Sequence, residues 1–196
     1  TESDHSAWVR PRDLLARHAA GEVRMLPPTV VSLEALARFG SAAEFLAGAP
    51  DCRVVVHDFR DGFFPGETTR IKERFNALAA AVAPDLILTH RRQDLHQDHR
   101  AIGELTWQTF RNRLIWEYEI PKYDGDLGRP NLFVPVTTAQ AARKTDIILR
   151  HFRSQAGKSW FSADTFQALL RLRGIESGSA SGKAEAFHAA KTVVRP

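Results

Sequence analysis

Residues 86–100, LILTHRRQDLHQDHR, are the stretch from which the fold is predicted most clearly. Leu86, Ile87 and Leu88 are apolar and follow Pro84 and Asp85, and a short apolar run after turn residues is typical of a buried strand in a parallel sheet. Polar residues begin directly after this strand. Because open α/β sheets hold their ligands beyond the carboxyl ends of strands, we expect a functional site here.

The polar part of this stretch concentrates three imidazoles and two carboxylates within ten residues: His90, Asp94, His96, Asp98 and His99. Such donors suit zinc or a related divalent ion, and a catalytic zinc takes about three protein ligands and keeps one open position. His96 and His99, three residues apart at a predicted helix start, can face one pocket, and Asp98 is placed to fix a histidine tautomer. In the alternative interpretation this is a solvated helix entry, and Asp98 caps a helix that begins near Arg100.

Length and composition restrict the possible classes of protein. The 196 residues allow one domain, or one domain with an appended segment, and 43% hydrophobic residues suffice for a sizeable core. A formal charge of +4 is only mildly basic, so the composition does not require a nucleic-acid partner. The single cysteine, Cys52, excludes an internal disulfide framework and fits a reducing compartment.

Hydropathy gives no indication of a membrane protein. No apolar run approaches the ~20 residues that a membrane span needs, and no signal peptide is visible. We therefore expect a cytoplasmic protein. The oligomeric state is not predicted.

The pattern of elements predicts an α/β fold. Val54, Val55 and Val56 suit a strand, and a helix with apolar residues at helical spacing follows from Thr68 to Val82. With the strand before the histidine cluster, these elements predict a parallel βαβ crossover between Cys52 and Thr89. Further strands are expected at 114–120 and near Phe133, and further helices after His99, from Thr138 to Phe152, and from Ser162 to Gly174.

The sequence resembles a known family at several of these motifs. Thr89-His90 followed by DLHQDHRAIGE is similar to the second motif of the PIG-L/LmbE-type N-deacetylases. The similarity continues in EYEIPKYDGDLGRPN (117–131), SQAGKSWFSADTFQALLRLRG (154–174) and KAEAFHAAK (183–191). The resemblance implies a Rossmann-like three-layer sandwich with a mostly parallel sheet over residues 41–196.

The resemblance also implies an activity and roles for individual residues. The family removes acetyl groups from amino sugars and related amines with zinc, so the expected partner is a small N-acetylated sugar or glycoconjugate. By this resemblance His99 is a metal ligand, a protonated His96 stabilises the oxyanion, and Asp98 supports that histidine. The AEAFH stretch, with Glu185 and His188, matches an element near the family's active site, although a structural role for His188 is the alternative that we favour.

One motif of the family is absent from this sequence. The family's first strand is followed by Ala-His-Pro-Asp-Asp, which supplies two further metal ligands and the general base, and no His-x-Asp-Asp occurs here. A single ligand cannot hold a catalytic zinc against water. We therefore predict that the first strand-helix unit is missing, that the metal site is incomplete, and that this chain has little or no deacetylase activity.

Two loops supply candidate substrate contacts. Arg60 and Asp61 lie in the loop RDGFFPG after the predicted strand, where the family has a similar stretch near its substrate, although a surface salt bridge or turn carboxylate explains them equally well. The second loop, KYDGDLGRPN (122–131), is rich in turn formers. Its Tyr123 can offer an aromatic face to a polyhydroxylated ligand, and Asp124 and Asp126 can accept from hydroxyl groups.

The first 40 residues read differently. Two short helices are predicted around Pro27-Pro28, and residues 7–40 resemble the carboxyl-terminal tail of some Nudix hydrolases. The Nudix box itself is absent, so this piece cannot carry that activity. We divide the chain into a helical segment at 1–40, as a fusion, a junction or an unrelated extension, and a partial deacetylase domain at 41–196.

Two functions from other classes stay open at this point. The first is a sugar-binding module that performs no chemistry. The second is a fragment of a Nudix-type nucleotide hydrolase.

Overall fold

The fold is taken from a computed structural model of the 196-residue chain, in which residues 55–191 are described. The chain divides into two compact units. The larger one is Phe59–Thr145 with Lys158–Pro196, described to residue 191, and it contains all the strands of the described region. The predicted N-terminal helices, the Nudix-like segment and the domain boundary at residue 41 lie outside the described residues.

The larger unit is built on a four-stranded sheet in the order β1-β2-β4-β3. Its strands are β1 (Leu86–His90), β2 (Leu114–Tyr118), β3 (Leu132–Pro135) and β4 (Ala184–His188). Strands β1 and β2 are parallel, and Leu86 pairs with Leu114 and His90 with Tyr118. Strand β4 runs antiparallel to both of its neighbours, β2 and β3.

Four α-helices accompany these strands within residues 55–191: α1 (Thr68–Ala81), α2 (Gln97–Thr109), α3 (Thr138–His151) and α4 (Ala163–Glu176). A short 3-10 helix, Phe64–Glu67, precedes α1. Residues 138–145 of α3 belong to the larger unit. Within residues 55–191, no helix combines the length and the apolar character needed to cross a bilayer.

Helix α2 packs closely on the carboxyl end of β1. Leu105 is buried on this helix, and the hydroxyl groups of Thr89 and Thr106 form a hydrogen bond of 2.9 Å between strand and helix. Gly103 permits the approach, because a Cβ at this position would lie 2.7 Å from the carbonyl oxygen of His90. The end of β1 and the start of α2 are therefore held side by side.

The smaller unit is described only at residues 55–58 and 146–157. It contains the end of α3, where Arg150 and Asp146 form an ion pair, and the 3-10 helix Arg153–Gln155. Residues 55–58 have irregular backbone.

The α/β class predicted from the sequence is confirmed, but the prediction of a mostly parallel sheet is only partly correct. Among the described strands, only β1 and β2 form a parallel pair. Helix α2 supplies the crossover that this parallel pair needs. Strand β4 instead enters between β2 and β3 in the opposite direction. Alternation of side chains along AEAFH predicts a strand but carries no information about its direction.

The strand predicted at Val54, Val55 and Val56 is a second correction. Val54 lies outside the described residues, whereas Val55 and Val56 have irregular backbone and are exposed. A β-branched run favours a strand only where neighbours cover it. The first strand of the predicted βαβ crossover at Cys52–Thr89 is thus not found at its two described positions.

Candidate metal centre

His90 is the last residue of β1 and is almost completely buried, with 2% of its surface exposed. Its ring lies 5.0 Å from the ring of Tyr118, its partner on β2. The Nδ1 atom of His90 is buried and has no hydrogen-bond partner among residues 55–191. A buried polar atom without a partner is costly and calls for an explanation, and a ligand that it binds is one.

His96 and His99 bring two more imidazoles to the same place from the start of α2. The His99 ring stacks on the His90 ring with a centroid distance of 4.1 Å and an interplanar angle of 11°. On the other side of His99 lies His96, at 4.5 Å and 29°. The three rings therefore form one stack, with His99 in the middle.

Asp94, in the loop between β1 and α2, contacts this stack of rings. Its Oδ2 lies 3.0 Å from Nδ1 of His99, and its Oδ1 accepts a hydrogen bond of 2.8 Å from the backbone amide of His96. The Lys122 ammonium lies 3.1 Å from the same Oδ1. Asp94 is buried, so these contacts take the place of water around its charge.

The electrostatics of the cluster leave two of its donors, His90 and Asp94, in the protonation states that metals require. Burial, followed by the nearby charge of His99, lowers the pKa of His90 from 6.5 to about 3, so its ring is neutral at pH 7. Burial alone would raise the pKa of Asp94. The hydrogen bond and charge of His99, with the His96 amide and Lys122, outweigh it and hold this pKa well below its usual range.

The donor set fits a divalent metal. His90, Asp94 and His99 each offer one ligand atom, and these atoms lie within 4.8 Å of one another. Ligand atoms around a tetrahedral zinc are roughly 3.4 Å apart, given bonds of about 2.1 Å, so side-chain adjustments of an ångström or so suffice. Two imidazoles and one carboxylate also match a known composition of catalytic zinc sites, which leave the fourth position open.

His96 differs from the other two histidines because it is the N-cap of α2. Its Nδ1 accepts a hydrogen bond of 3.3 Å from the backbone amide of Asp98. An imidazole nitrogen that accepts carries no proton, so this bond selects the neutral tautomer with its proton on Nε2. His96 thus presents a fixed N–H donor beside the three candidate ligands.

The Asp98 carboxylate contacts the turn before α1, whereas the sequence suggested that it supports His96. Its Oδ2 accepts from the amide of Gly62 at 2.5 Å, and its Oδ1 accepts from the amide of Phe64 at 3.0 Å. Asp98 thereby holds the turn before α1 against the start of α2. It is the backbone amide of Asp98, rather than the carboxylate, that bonds to His96, and a catalytic role for the carboxylate stays a prediction.

The turn held by Asp98 contains the predicted substrate contacts Arg60 and Asp61. Gly62 has a φ of +85°, which suits glycine, and both predicted residues are exposed. The Arg60 guanidinium lies 3.7 Å from the centre of the Phe63 ring. A cavity of about 330 Å³ is lined by Arg60, Gly62, Phe63, Pro65, Gly66 and Glu67, and the lining contains no histidine.

Loop 122–131 borders the cluster on another side. Lys122 bonds to Asp126 at 2.5 and 2.6 Å, and Asp126 also accepts from the amide of Leu95 at 2.6 Å. Both oxygens of Asp126 therefore already accept hydrogen bonds within the protein, whereas we predicted that Asp126 accepts from hydroxyl groups of a ligand. Tyr123 is 66% exposed and contacts Trp160 edge to face at 6.2 Å, and Asp124 lies 3.6 Å from Lys122.

The sequence predicted His99 as a metal ligand and did not single out His90 and Asp94 as the further candidate ligands. Both belong to the cluster that we singled out, but neither lies on the α2 face that carries His96 and His99. The signal that could have found them is the strand end itself, because His90 is the last residue of a strand and ligands of open α/β sheets lie beyond the carboxyl ends of strands. Lys122 had no such signal, because only folding brings it to Asp94.

Fold and site together define an α/β protein with a histidine- and aspartate-rich candidate metal centre at the carboxyl end of a parallel strand. Residues 22–110 match the model of the PIG-L family, which is described as GlcNAc-PI de-N-acetylase. The match confirms the resemblance to this family that the sequence predicted. It begins before residue 41, where we expected the family's domain to start. No curated protein matched the sequence.

Two solved structures share the fold. The conserved protein TT1542 from Thermus thermophilus aligns with a TM-score of 0.55 and 18% identity, over 95% of this chain and 90% of its own. GalB, the 4-carboxy-2-hydroxymuconate hydratase from Pseudomonas putida, aligns with a TM-score of 0.52 and 16% identity, over 88% and 77%. At such identities the likeness concerns the fold and not the reaction.

Proposed function

We propose that this chain is a zinc-dependent amide hydrolase that removes the acetyl group from an N-acetylated sugar or glycoconjugate. The observation that carries the proposal is the convergence of His90, Asp94 and His99 beside the N–H donor of His96. The PIG-L match supports the type of reaction. A cytoplasmic location, expected from the composition, is part of the proposal.

The three candidate ligands would hold the metal in place of the ligand set whose motif the sequence lacks. His90 contributes a buried neutral imidazole, and Asp94 contributes a carboxylate that stays ionised at neutral pH. A divalent metal bound there acts as a Lewis acid and makes water a nucleophile at neutral pH.

His96 is proposed to stabilise the charge that develops on the acetyl oxygen. The neutral tautomer leaves its Nε2–H free to donate, and the N-cap position fixes the ring before substrate arrives. Donors of this kind contribute about 3 to 4 kcal/mol to the transition state. This differs from the protonated His96 that the family resemblance implies, because a proton on Nδ1 would face the amide hydrogen of Asp98.

The substrate is proposed to bind between the loops that border the cluster. Tyr123 offers an exposed aromatic face next to Lys122, and aromatic side chains pack well against the apolar faces of sugars. Asp124 and, from the other loop, Arg60 and Asp61 supply polar groups for hydroxyls. These four residues remain a proposal, supported by their exposure and by the position of their loops.

We expect slow turnover, because the cluster contains no good general base. A carboxylate whose pKa lies well below neutrality takes up protons poorly, and Asp94 is such a group. Asp98 is engaged with the amides of Gly62 and Phe64. Activity in this chain is therefore proposed to be weak, as the missing motif also predicts.

The test is amine release from N-acetylglucosamine and from a glycoconjugate by the zinc-loaded chain. We expect slow, zinc-dependent release that is lost in His99→Ala. His96→Ala should lower the rate by roughly 100-fold or more while zinc affinity changes little, because His96 is a donor and not a ligand. Zinc binding without any amine release would support a sugar-binding module instead, and hydrolysis of a nucleoside diphosphate would support the Nudix alternative.

A further inference from the structure

Lys122 is buried in the acidic surroundings of the candidate metal centre. Its side chain is only 8% exposed, and lysines are rarely so buried unless they are paired. The ammonium lies 3.1 Å from Oδ1 of Asp94 and 2.5 Å from Oδ1 of Asp126, and Asp124 follows at 3.6 Å. One fixed positive charge thus touches a carboxylate that is also a candidate metal ligand.

The two oxygens of Asp94 have separate partners. Oδ2 faces His99, while Oδ1 is shared by Lys122 and the amide of His96. Any cation held by Oδ2 is therefore bound by a carboxylate whose charge is already partly compensated. At these separations the repulsion between an ammonium and a divalent ion is several times thermal energy, even with an effective dielectric constant of about 20.

We propose that Lys122 is an internal cation that weakens metal binding at the His90, Asp94 and His99 centre, and that Asp126 sets how strongly it does so. The inference rests on the proposed function only in requiring that this centre binds metal. It makes Lys122 a positioning and tuning residue, and it gives the chain a metal site that exchanges its ion more readily than its three ligands alone would allow.

Asp126 moderates this effect through its own contacts. Both of its oxygens bond to the Lys122 ammonium, at 2.5 and 2.6 Å, and Oδ2 also accepts from the amide of Leu95. Its charge therefore offsets much of the ammonium charge. Without that charge, Lys122 would be left with Asp94 as its main anionic partner, and the repulsion of a metal would increase.

The experiment measures zinc affinity of the full chain by competition with a chromophoric chelator. Lys122→Met removes the charge and keeps a side chain of similar length, and we expect zinc to bind roughly tenfold tighter or more. Lys122→Arg keeps the charge and should stay within about threefold of the parent chain. Lys72→Met, on α1, where the ammonium bonds to the hydroxyl of Thr109, controls for the change in net charge and should also stay within about threefold.

Asp126→Asn provides an independent arm with the opposite sign. Its amide oxygen can still accept from Leu95, but the countercharge is gone, so zinc should bind roughly three- to tenfold more weakly. In the double variant with Lys122→Met this loss should disappear, because no ammonium remains to be compensated. Asp126→Asn carries the test even if Lys122→Met fails to fold, as judged by circular dichroism.

The outcomes separate this inference from the proposed function. Zinc affinity that is unchanged or weaker in folded Lys122→Met, or unchanged or tighter in Asp126→Asn, overturns the role of Lys122 and leaves the hydrolase proposal standing. A parent chain that binds no zinc overturns both. Tight zinc binding that responds as expected, without amine release, supports the inference and contradicts only the proposed hydrolysis.

Discussion

His90 and His188 end two strands of the same sheet and have opposite surroundings. His188, at the end of β4, bonds through Nε2 to the carbonyl oxygen of Leu127 at 2.9 Å. His90, at the end of β1, is more deeply buried, has an unpartnered Nδ1 and stacks on His99. Burial lowers the pKa of both rings.

This difference in hydrogen bonding distinguishes a histidine with a structural contact from a histidine that is suited to bind a metal. The bond of His188 fastens loop 122–131 to the sheet, so its polar atom is used within the fold. The buried Nδ1 of His90 has no such partner within the described part of the chain, and a bound ligand would compensate its desolvation. Two histidines of similar position and similar direction of pKa shift thus differ in their hydrogen bonds, and this difference makes His90 rather than His188 the candidate ligand.

The largest expected effect comes from deleting each histidine. His90→Ala should lower zinc affinity by roughly 100-fold or more, because the site loses one of its three protein ligands. His188→Ala should change zinc affinity by less than about threefold and lower the melting temperature instead. Chelator competition and thermal melts of both variants make the comparison, and equal zinc affinities in the two would contradict it.

The pH dependence of stability sharpens the comparison. The unfolded chain takes up a proton on His90 near pH 6.5, while the folded chain does so only near pH 3. Stability is therefore lost as pH falls between these values, by up to about 1.4 kcal/mol per pH unit. In urea denaturation with chelator between about pH 4.5 and 6.5, His90→Phe should show a flatter dependence than the parent chain.

The matching change at the other strand tests whether the effect belongs to His90. His188→Phe should flatten the same profile less, because His188 is only partly buried. The window lies largely above the pH range in which Asp94 contributes, because that range begins near the ordinary Asp pKa of 3.8 and extends down to the depressed pKa of the folded chain. A profile in His90→Phe as steep as that of the parent chain would show that His90 is not kept neutral by the fold.

The same comparison can be made at two glycines on the helices, Gly103 on α2 and Gly174 on α4. A Cβ at Gly103 would approach the carbonyl oxygen of His90, and a Cβ at Gly174 on α4 would approach that of Gly182 at 2.1 Å. Alanine at either position should destabilise the fold by about 1–3 kcal/mol. Only Gly103→Ala should also weaken zinc binding, because it moves α2 away from β1.

Gly66→Ala is the matched control for these substitutions. A Cβ there meets nothing within 4 Å, so stability and zinc affinity should both stay close to the parent values. Gly174→Ala with a zinc affinity as low as that of Gly103→Ala would mean that general destabilisation, rather than the β1–α2 contact, sets the geometry of the centre.

The smallest expected effect concerns Asp98. Asp98→Asn keeps one oxygen acceptor for the amides of Gly62 and Phe64 and loses the charge, so stability should fall by about 1 kcal/mol. The backbone bond from residue 98 to His96 persists, and zinc affinity should change by less than about threefold. A large loss of zinc affinity would show that the carboxylate acts on the histidines, as the family resemblance implies.

Local patterns explain why much of the fold was predictable from the sequence. The strand at Leu86–Leu88 and a helix after His99 were predicted correctly, because each depends on neighbours in the chain. The predicted burial of this strand was wrong for Leu86 and Leu88, which are exposed. The start of α2 was expected near Arg100 and lies at Gln97, since a histidine rather than a common capping residue is the N-cap. The direction of β4 could not be read, because it depends on how the sheet assembles.

The candidate site was predictable only in part for the same reason. The cluster of histidines and aspartates is visible in the sequence, and so is its place after a strand. The stacking of His90 on His99, the capture of Asp98 by the turn at Gly62 and the contact of Lys122 with Asp94 are tertiary contacts. No periodicity or spacing records which of several nearby carboxylates will face which ring.

The most direct test of the metal centre is anomalous diffraction at the zinc edge from crystals of the full chain grown with zinc. We predict an anomalous peak within about 2.0–2.3 Å of one donor atom from each of His90, Asp94 and His99. A crystal that contains zinc elsewhere but shows no peak among these three side chains would contradict the account.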